Sequence, residues 1–114
     1  MKIVKFFDFR GIVQRVQFRR TVLNAAKKRG VEGGATNNKK EVDLVHVTLR
    51  GEKHQLEGLV NHANSFMRDG VPLNERGALI TSIEEKEEGL AIEEHEYTTE
   101  NFELKKWSEY KLFF

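Results

Sequence analysis

The sequence contains no cysteine, which excludes disulfide frameworks, thiolate zinc sites and cysteine nucleophiles and leaves packing as the source of stability. Nor does it contain an uninterrupted apolar run approaching the roughly eighteen residues of a membrane span. Its start, Met1-Lys2-Ile3-Val4-Lys5, leads into an apolar stretch too short and too charged for a signal peptide. These absences point to a soluble, cytoplasmic chain. Internal repeats, linkers and, beyond one acidic patch, low-complexity segments are also missing, so the 114 residues, 39% of them apolar, read as one domain. A domain of this length buries about two-thirds of the surface its unfolded chain exposes.

What is present is a charge asymmetry hidden by a net charge of +1. Residues 1–40 carry eleven Lys and Arg side chains against only Asp8 and Glu32, whereas the other 74 residues carry eight bases against sixteen acids. Either an anionic ligand sits near the first third, or the two halves intermix in space and neutralise each other. The acidic run Glu84-Glu85-Lys86-Glu87-Glu88, followed by Glu93-Glu94-His95-Glu96, reads as a solvated strand-and-turn surface, since its carboxylates lack the fixed loop geometry of a metal site. His54 and His62 lie eight apart and do not form a helical i, i+4 metal pair. His46 and His95 have no local ligand partner, so surface or edge roles are expected for all four histidines.

The periodicities predict the element order. Residues 2–9 (KIVKFFDF) form a strand that opens into a glycine-containing loop at Arg10-Gly11. From Phe18 the spacing of Phe18, Val22, Ala25, Ala26 and Arg29 is helical, with cations at the C-terminal end and Gly30 following. Residues 31–37 form a short strand, and Asn37-Asn38-Lys39-Lys40 turns the chain into a strand over 42–50, where Val45, Val47 and Leu49 share one face. Leu56, Leu59, Val60, Ala63, Phe66 and Met67 form the apolar stripe of a second helix, stopped by Gly70 and Pro72. Residues 78–86 form a further strand, which residues 90–96 continue or pair with, and 101–105 add a last one. The order β-α-β-β-α-β with extra β material predicts an α+β, ferredoxin-like sandwich, an antiparallel sheet carrying both helices on one face.

The chemistry points to Gly11-Ile12-Val13-Gln14-Arg15-Val16-Gln17-Phe18-Arg19. A strand-to-helix junction offers unpaired N–H groups and the positive end of a helix dipole to an anion. Arg19, in the first helical turn, can reach back with a planar fork that suits two phosphate oxygens. Without a motif, Val16 and Phe18 would be core residues, Gln14 a polar strand-end residue and Asn37 a turn residue.

This segment resembles the acylphosphatase signature G-x-V-Q-G-V-x-F-R, matching at Gly11, Val13, Gln14, Val16, Phe18 and Arg19. Gly30 to Asn37 is similar to the family's second motif, which ends in G-W-V-x-N. The resemblance implies a single acylphosphatase-like domain over 1–114, with a core of about 2–105 and a C-terminal extension over 106–114. It implies hydrolysis of the carboxyl–phosphate bond of a small acyl phosphate to a carboxylate and inorganic phosphate, without metal or cofactor. By that resemblance Arg19 is the phosphate-binding arginine and Asn37 the residue that orients water. Backbone amides of Gln14, Arg15, Val16, Gln17, Phe18 and Arg19 would form the phosphate loop.

Two positions depart from the pattern. Arg15 replaces a glycine and would cost about 1–2 kcal/mol in a left-handed conformation, though it also adds a cation beside the loop. Gly34 replaces a tryptophan and removes a packing element from the strand that carries Asn37. These departures support a second reading, an anion-binding regulatory module with little or no turnover. Single-stranded nucleic-acid binding is a third, since RNA-recognition domains share the element order, but the strand over 42–50 lacks their aromatic pair. A monomer is expected and a membrane role is not. Trp107, Tyr110, Phe113 and Phe114 form an aromatic tail that would cover the sheet, dimerise or dock a partner.

Overall fold

The computed structural model describes residues 1–102 and 111–114. Its elements are β1 (Lys2–Ile12), α1 (Phe18–Lys28), β2 (Glu32–Asn37), β3 (Leu44–Glu52), α2 (Lys53–Asp69), β4 (Leu79–Lys86) and β5 (Tyr97–Thr98), with one 3-10 turn at Ile92–Glu94. The sheet order is β4-β1-β3-β2-β5. Because β3 pairs antiparallel with both β1 and β2, β1 and β2 run the same way with β3 between them. This is the α+β, ferredoxin-like sandwich that the periodicities predict.

Alternation along the strands decides what lies on each face. Phe7 and Phe9 of β1 and Val45, Val47 and Leu49 of β3 are buried. They pack in one cluster with Phe18, Val22, Leu23 and Ala26 of α1 and Leu56, Leu59 and Ala63 of α2. Burying one such large side chain contributes about 2–3 kcal/mol. The intervening residues Asp8, His46, Thr48 and Arg50 face the other side of the sheet, where they meet polar partners.

The first strand runs three residues beyond its expected end. A bulge between Arg10 and Gly11 shifts the register, after which Gly11 pairs with Ile80 and Ile12 with Leu79. Gly11 has φ +140, and a Cβ there would stand 2.1 Å from the Leu79 carbonyl oxygen, so the motif's first glycine is what lets β4 close against β1.

Residues 90–96 do not extend or pair with β4 as expected. They cross the outer face, because the Thr48 hydroxyl donates to the Leu90 carbonyl at 2.7 Å and His95 is buried between two threonines. The chain then joins the opposite edge, where Tyr97 pairs with Ala35 and Thr98 with Gly34. The strand expected over 101–105 is not seen at its first two positions. Asn101 and Phe102 turn back onto the Thr98 carbonyl, and 103–105 lie outside the described residues, as do Trp107 and Tyr110. Phe114 packs within the chain, its ring 5.0 Å from that of His62 and nearly parallel to it, with Phe66 alongside. It therefore covers α2 and not the sheet. Among the described residues no helix is long and apolar enough to cross a membrane.

Candidate active site

The loop between β1 and α1 alternates in hand. Arg15 has φ 65 and Gln17 φ 62, while Val16 between them stays at negative φ. Such alternation turns successive N–H groups toward one side and forms an anion-binding concavity. Among the described residues no backbone carbonyl accepts from the N–H of Arg15, Val16 or Gln17. Gln17 is the left-handed N-cap of α1 and offers no side-chain cap to the first turn, so the N–H groups there also lack an intrahelical partner. A cavity of about 150 Å³ opens on this loop, lined by Val13, Arg15, Gln17 to Arg20, and Tyr97.

Arg15 thus occupies the left-handed conformation that its glycine counterpart in the motif would tolerate freely. Replacing Arg15 with glycine removes about 1–2 kcal/mol of backbone strain and adds about 0.5–1 kcal/mol of unfolded-state entropy. A net gain of roughly 0.5–1 kcal/mol is expected, read as a rise of about 3 °C in the melting temperature. A fall in melting temperature would show that the Arg15 side chain contributes more than its backbone costs.

Arg19 lines the cavity with its guanidinium fixed by two contacts. It donates to Glu96 Oε1 at 3.1 Å and lies over the Tyr97 ring, 4.2 Å from its centroid. Arg20 donates to the Tyr97 hydroxyl at 3.3 Å, which with the nearby guanidinium charges holds that phenol below its ordinary range. Three arginines therefore converge on one small cavity. Elsewhere the basic first third does intermix with the acidic remainder, through pairs such as Lys5–Glu85 and Arg10–Glu41. Those exposed pairs contribute little to stability.

Of the remaining predicted residues, Phe18 lines the cavity while its side chain is buried, and Val16, Gln14 and Asn37 are not part of the lining. Val16 packs against the core and Phe18 is part of it. The Gln14 side chain turns away from the cavity, its Nε2 lying 2.9–3.0 Å from the carbonyls of Asn38, Glu41 and Leu44. It ties the loop after β1 to the loop after β2. Asn37 ends β2 and does not line the cavity. Its N–H donates to Glu96 Oε1 at 2.9 Å, the same oxygen that accepts from Arg19. Its own Oδ1 is buried without a hydrogen-bond partner among the described residues.

Three residues that the sequence reading missed complete the site. Asn74, fully buried in the loop before β4, donates from Nδ2 to the Val16 carbonyl at 2.9 Å and to Thr21 Oγ1 at 2.8 Å. Its Oδ1 accepts from the N–H of Arg76. Asn74-Glu75-Arg76-Gly77 carries the signal of an Asx turn, but nothing in that signal tells where Nδ2 reaches. Glu96 and His95 belong to the stretch expected to be a solvated surface. Glu96 is exposed, as expected, yet bridges Arg19 and Asn37, whereas His95 is buried, with Nδ1 2.9 Å from Thr36 Oγ1 and Nε2 2.7 Å from Thr48 Oγ1. The Thr48 hydroxyl gives its proton to Leu90, so Nε2 donates and Nδ1 accepts, the neutral tautomer. Burial, the largest cause, lowers the His95 pKa accordingly.

His95 also accounts for Gly34. A Cβ on Gly34 would stand 2.7–2.8 Å from the Cδ2, Cβ and Cγ atoms of His95. The imidazole occupies the space beside the strand that a side chain at position 34 would need. Gly34→Ala is expected to lower stability by about 2 kcal/mol, because two threonine hydrogen bonds hold the ring in place. Thermal unfolding of Gly34→Ala and of Gly34→Ala with His95→Ala checks this. The second variant should lose less than the sum of the two single changes.

Comparison with known proteins agrees with the fold. The acylphosphatase family model matches residues 5–106. An acylphosphatase structure from Bacillus subtilis is 25% identical, with a TM-score of 0.58 over 83% of this chain and 92% of that one. An acylphosphatase from Coxiella burnetii, 20% identical, superposes with a TM-score of 0.57 over 79% and 84% of the two chains. Full-length HypF, crystallised in a phosphate- and nucleotide-bound form, is 23% identical and superposes with a TM-score of 0.53 over 84% of this chain and 11% of its own. The last two show the shared fold. A comparison with curated proteins returned no match.

Proposed function

The chain belongs to the acylphosphatase family, and from that premise we propose that it hydrolyses acyl phosphates through the loop of residues 14–19, with Arg19 and Asn37 as its catalytic side chains. The observation that carries this reading is the left-handed pair Arg15 and Gln17, on a loop whose N–H groups meet no backbone acceptor among the described residues and which lines one cavity with Arg19. A phosphoryl group seated there would meet backbone donors on one side and the guanidinium on another. Both favour the charge spread over its three equatorial oxygens in a loose transition state. A water held by the Asn37 carboxamide would attack phosphorus opposite the acyl oxygen. The bond from phosphorus to that oxygen breaks, the carboxylate leaves with the electron pair, and the water's proton passes to phosphate. A carboxylate is a good leaving group, so orientation supplies most of the gain and no strong base is required.

The test is turnover of benzoyl phosphate by the purified chain, with inorganic phosphate as a competitive inhibitor. Hydrolysis at the uncatalysed rate would overturn the enzymatic reading. The second reading, an anion-binding module without turnover, is favoured by Asn37 standing outside the cavity lining. It predicts that phosphate raises the melting temperature while benzoyl phosphate survives.

A further inference from the structure

We propose that Glu96 is a positioning residue that sets Arg19 and Asn37 in register through a single carboxylate oxygen, at the expense of ground-state affinity for phosphate. This rests on the acyl phosphate reading above and extends it to a residue outside both motifs. Glu96 Oε1 accepts from Arg19 Nη1 at 3.1 Å and from the Asn37 N–H at 2.9 Å. One atom therefore fixes the distance between the end of β2 and the first turn of α1, two elements that no strand pairing joins.

Glu96 is itself restrained on both sides. Its N–H donates to Thr36 Oγ1 at 2.9 Å, the hydroxyl that also meets His95. The next residue, Tyr97, pairs with Ala35 on β2 and presents its ring to the Arg19 guanidinium. Two successive residues thus hold the guanidinium, one at its edge by charge and one at its face. The fork can then meet phosphate with little rotamer freedom left to lose, a gain realised in orientation.

The same carboxylate carries a charge of the wrong sign for the ligand. It shares the guanidinium that a phosphate would use and repels an incoming dianion across the short distance between them. The two effects oppose each other in a measurable way. Removing the charge should make phosphate bind more tightly and react more slowly. A side chain that contributed only to folding would weaken binding and turnover together.

Glu96→Gln keeps the size and one acceptor oxygen while removing the charge, so the full chain bearing it is the variant to measure. With benzoyl phosphate as substrate and inorganic phosphate as inhibitor, kcat is expected to fall about tenfold and the phosphate Ki to fall about threefold. A kcat that does not move, or a Ki that rises along with the loss of kcat, overturns the inference while leaving the enzymatic reading intact. Failure of the unsubstituted chain to hydrolyse benzoyl phosphate overturns both, and the two failures are told apart by that control.

Discussion

Hydrolysis of benzoyl phosphate is expected to fall about a thousandfold, in kcat/KM, when Arg19 is replaced by glutamine. One well-aimed donor to a developing anion is worth about a hundredfold to a thousandfold, and a charged fork lies at the upper end of that range. Arg19→Lys should recover little of the loss. Its ammonium is a point charge that can neither form two parallel bonds nor stack on Tyr97 as the guanidinium does. The fold should survive either change. The Glu96 ion pair is partly exposed and the ring contact is a single one, so each contributes at most about 1 kcal/mol. Retained thermal unfolding together with lost turnover would assign the effect to the site. Equal rates for the unsubstituted chain and Arg19→Gln would remove this residue from the mechanism.

The place of Arg19, in the first turn of α1 beside the loop, is legible in the sequence for a physical reason that does not extend to the residues around it. A loop between a strand and a helix, bearing an arginine in the first turn, is a local pattern, and the elements on either side follow from local periodicities that the fold reproduces. The helix of Leu56 to Met67 is an example. It is found within α2, Lys53–Asp69, because its apolar stripe needs a sheet to cover and has one. The bulge at Gly11 reads in the sequence as the start of a loop, because the carbonyl that excludes a Cβ there belongs to Leu79, far along the chain. Asn74, His95 and Glu96 reach across the chain to residues 47 to 77 positions away. Their local sequence says only turn, or only surface, since a charged cluster on an edge normally stays in water. The packing partner of Gly34 is hidden for the same reason. The group that fills its side of the strand is a histidine carried in from beyond β4 by a segment whose course is fixed by threonine hydroxyls and not by strand pairing.

Asn37 offers a contrast between activity and stability. Its Oδ1 is buried with no donor among the described residues, and a carbonyl so placed costs about 1–3 kcal/mol. The strand does not require the side chain, since its pairing with β3 runs through the backbone, and the contact to Glu96 is made by the main-chain N–H. Asn37→Ala therefore removes an unsatisfied acceptor and leaves the bonds on either side intact. Its melting temperature is expected to stay level or rise by a few degrees. If the carboxamide orients the attacking water, kcat should fall by a factor of about a hundred to a thousand, the range lost when a reacting partner is no longer held in line. Asn37→Asp tests the same point from the other side, because it keeps the shape while adding a negative charge close to the Arg19–Glu96 pair. It should raise KM as well as lower kcat. Circular dichroism melts run beside the benzoyl phosphate assay check both halves. A variant that loses stability and activity in proportion would mean that Asn37 is a structural residue of β2, and that the water is oriented by something else.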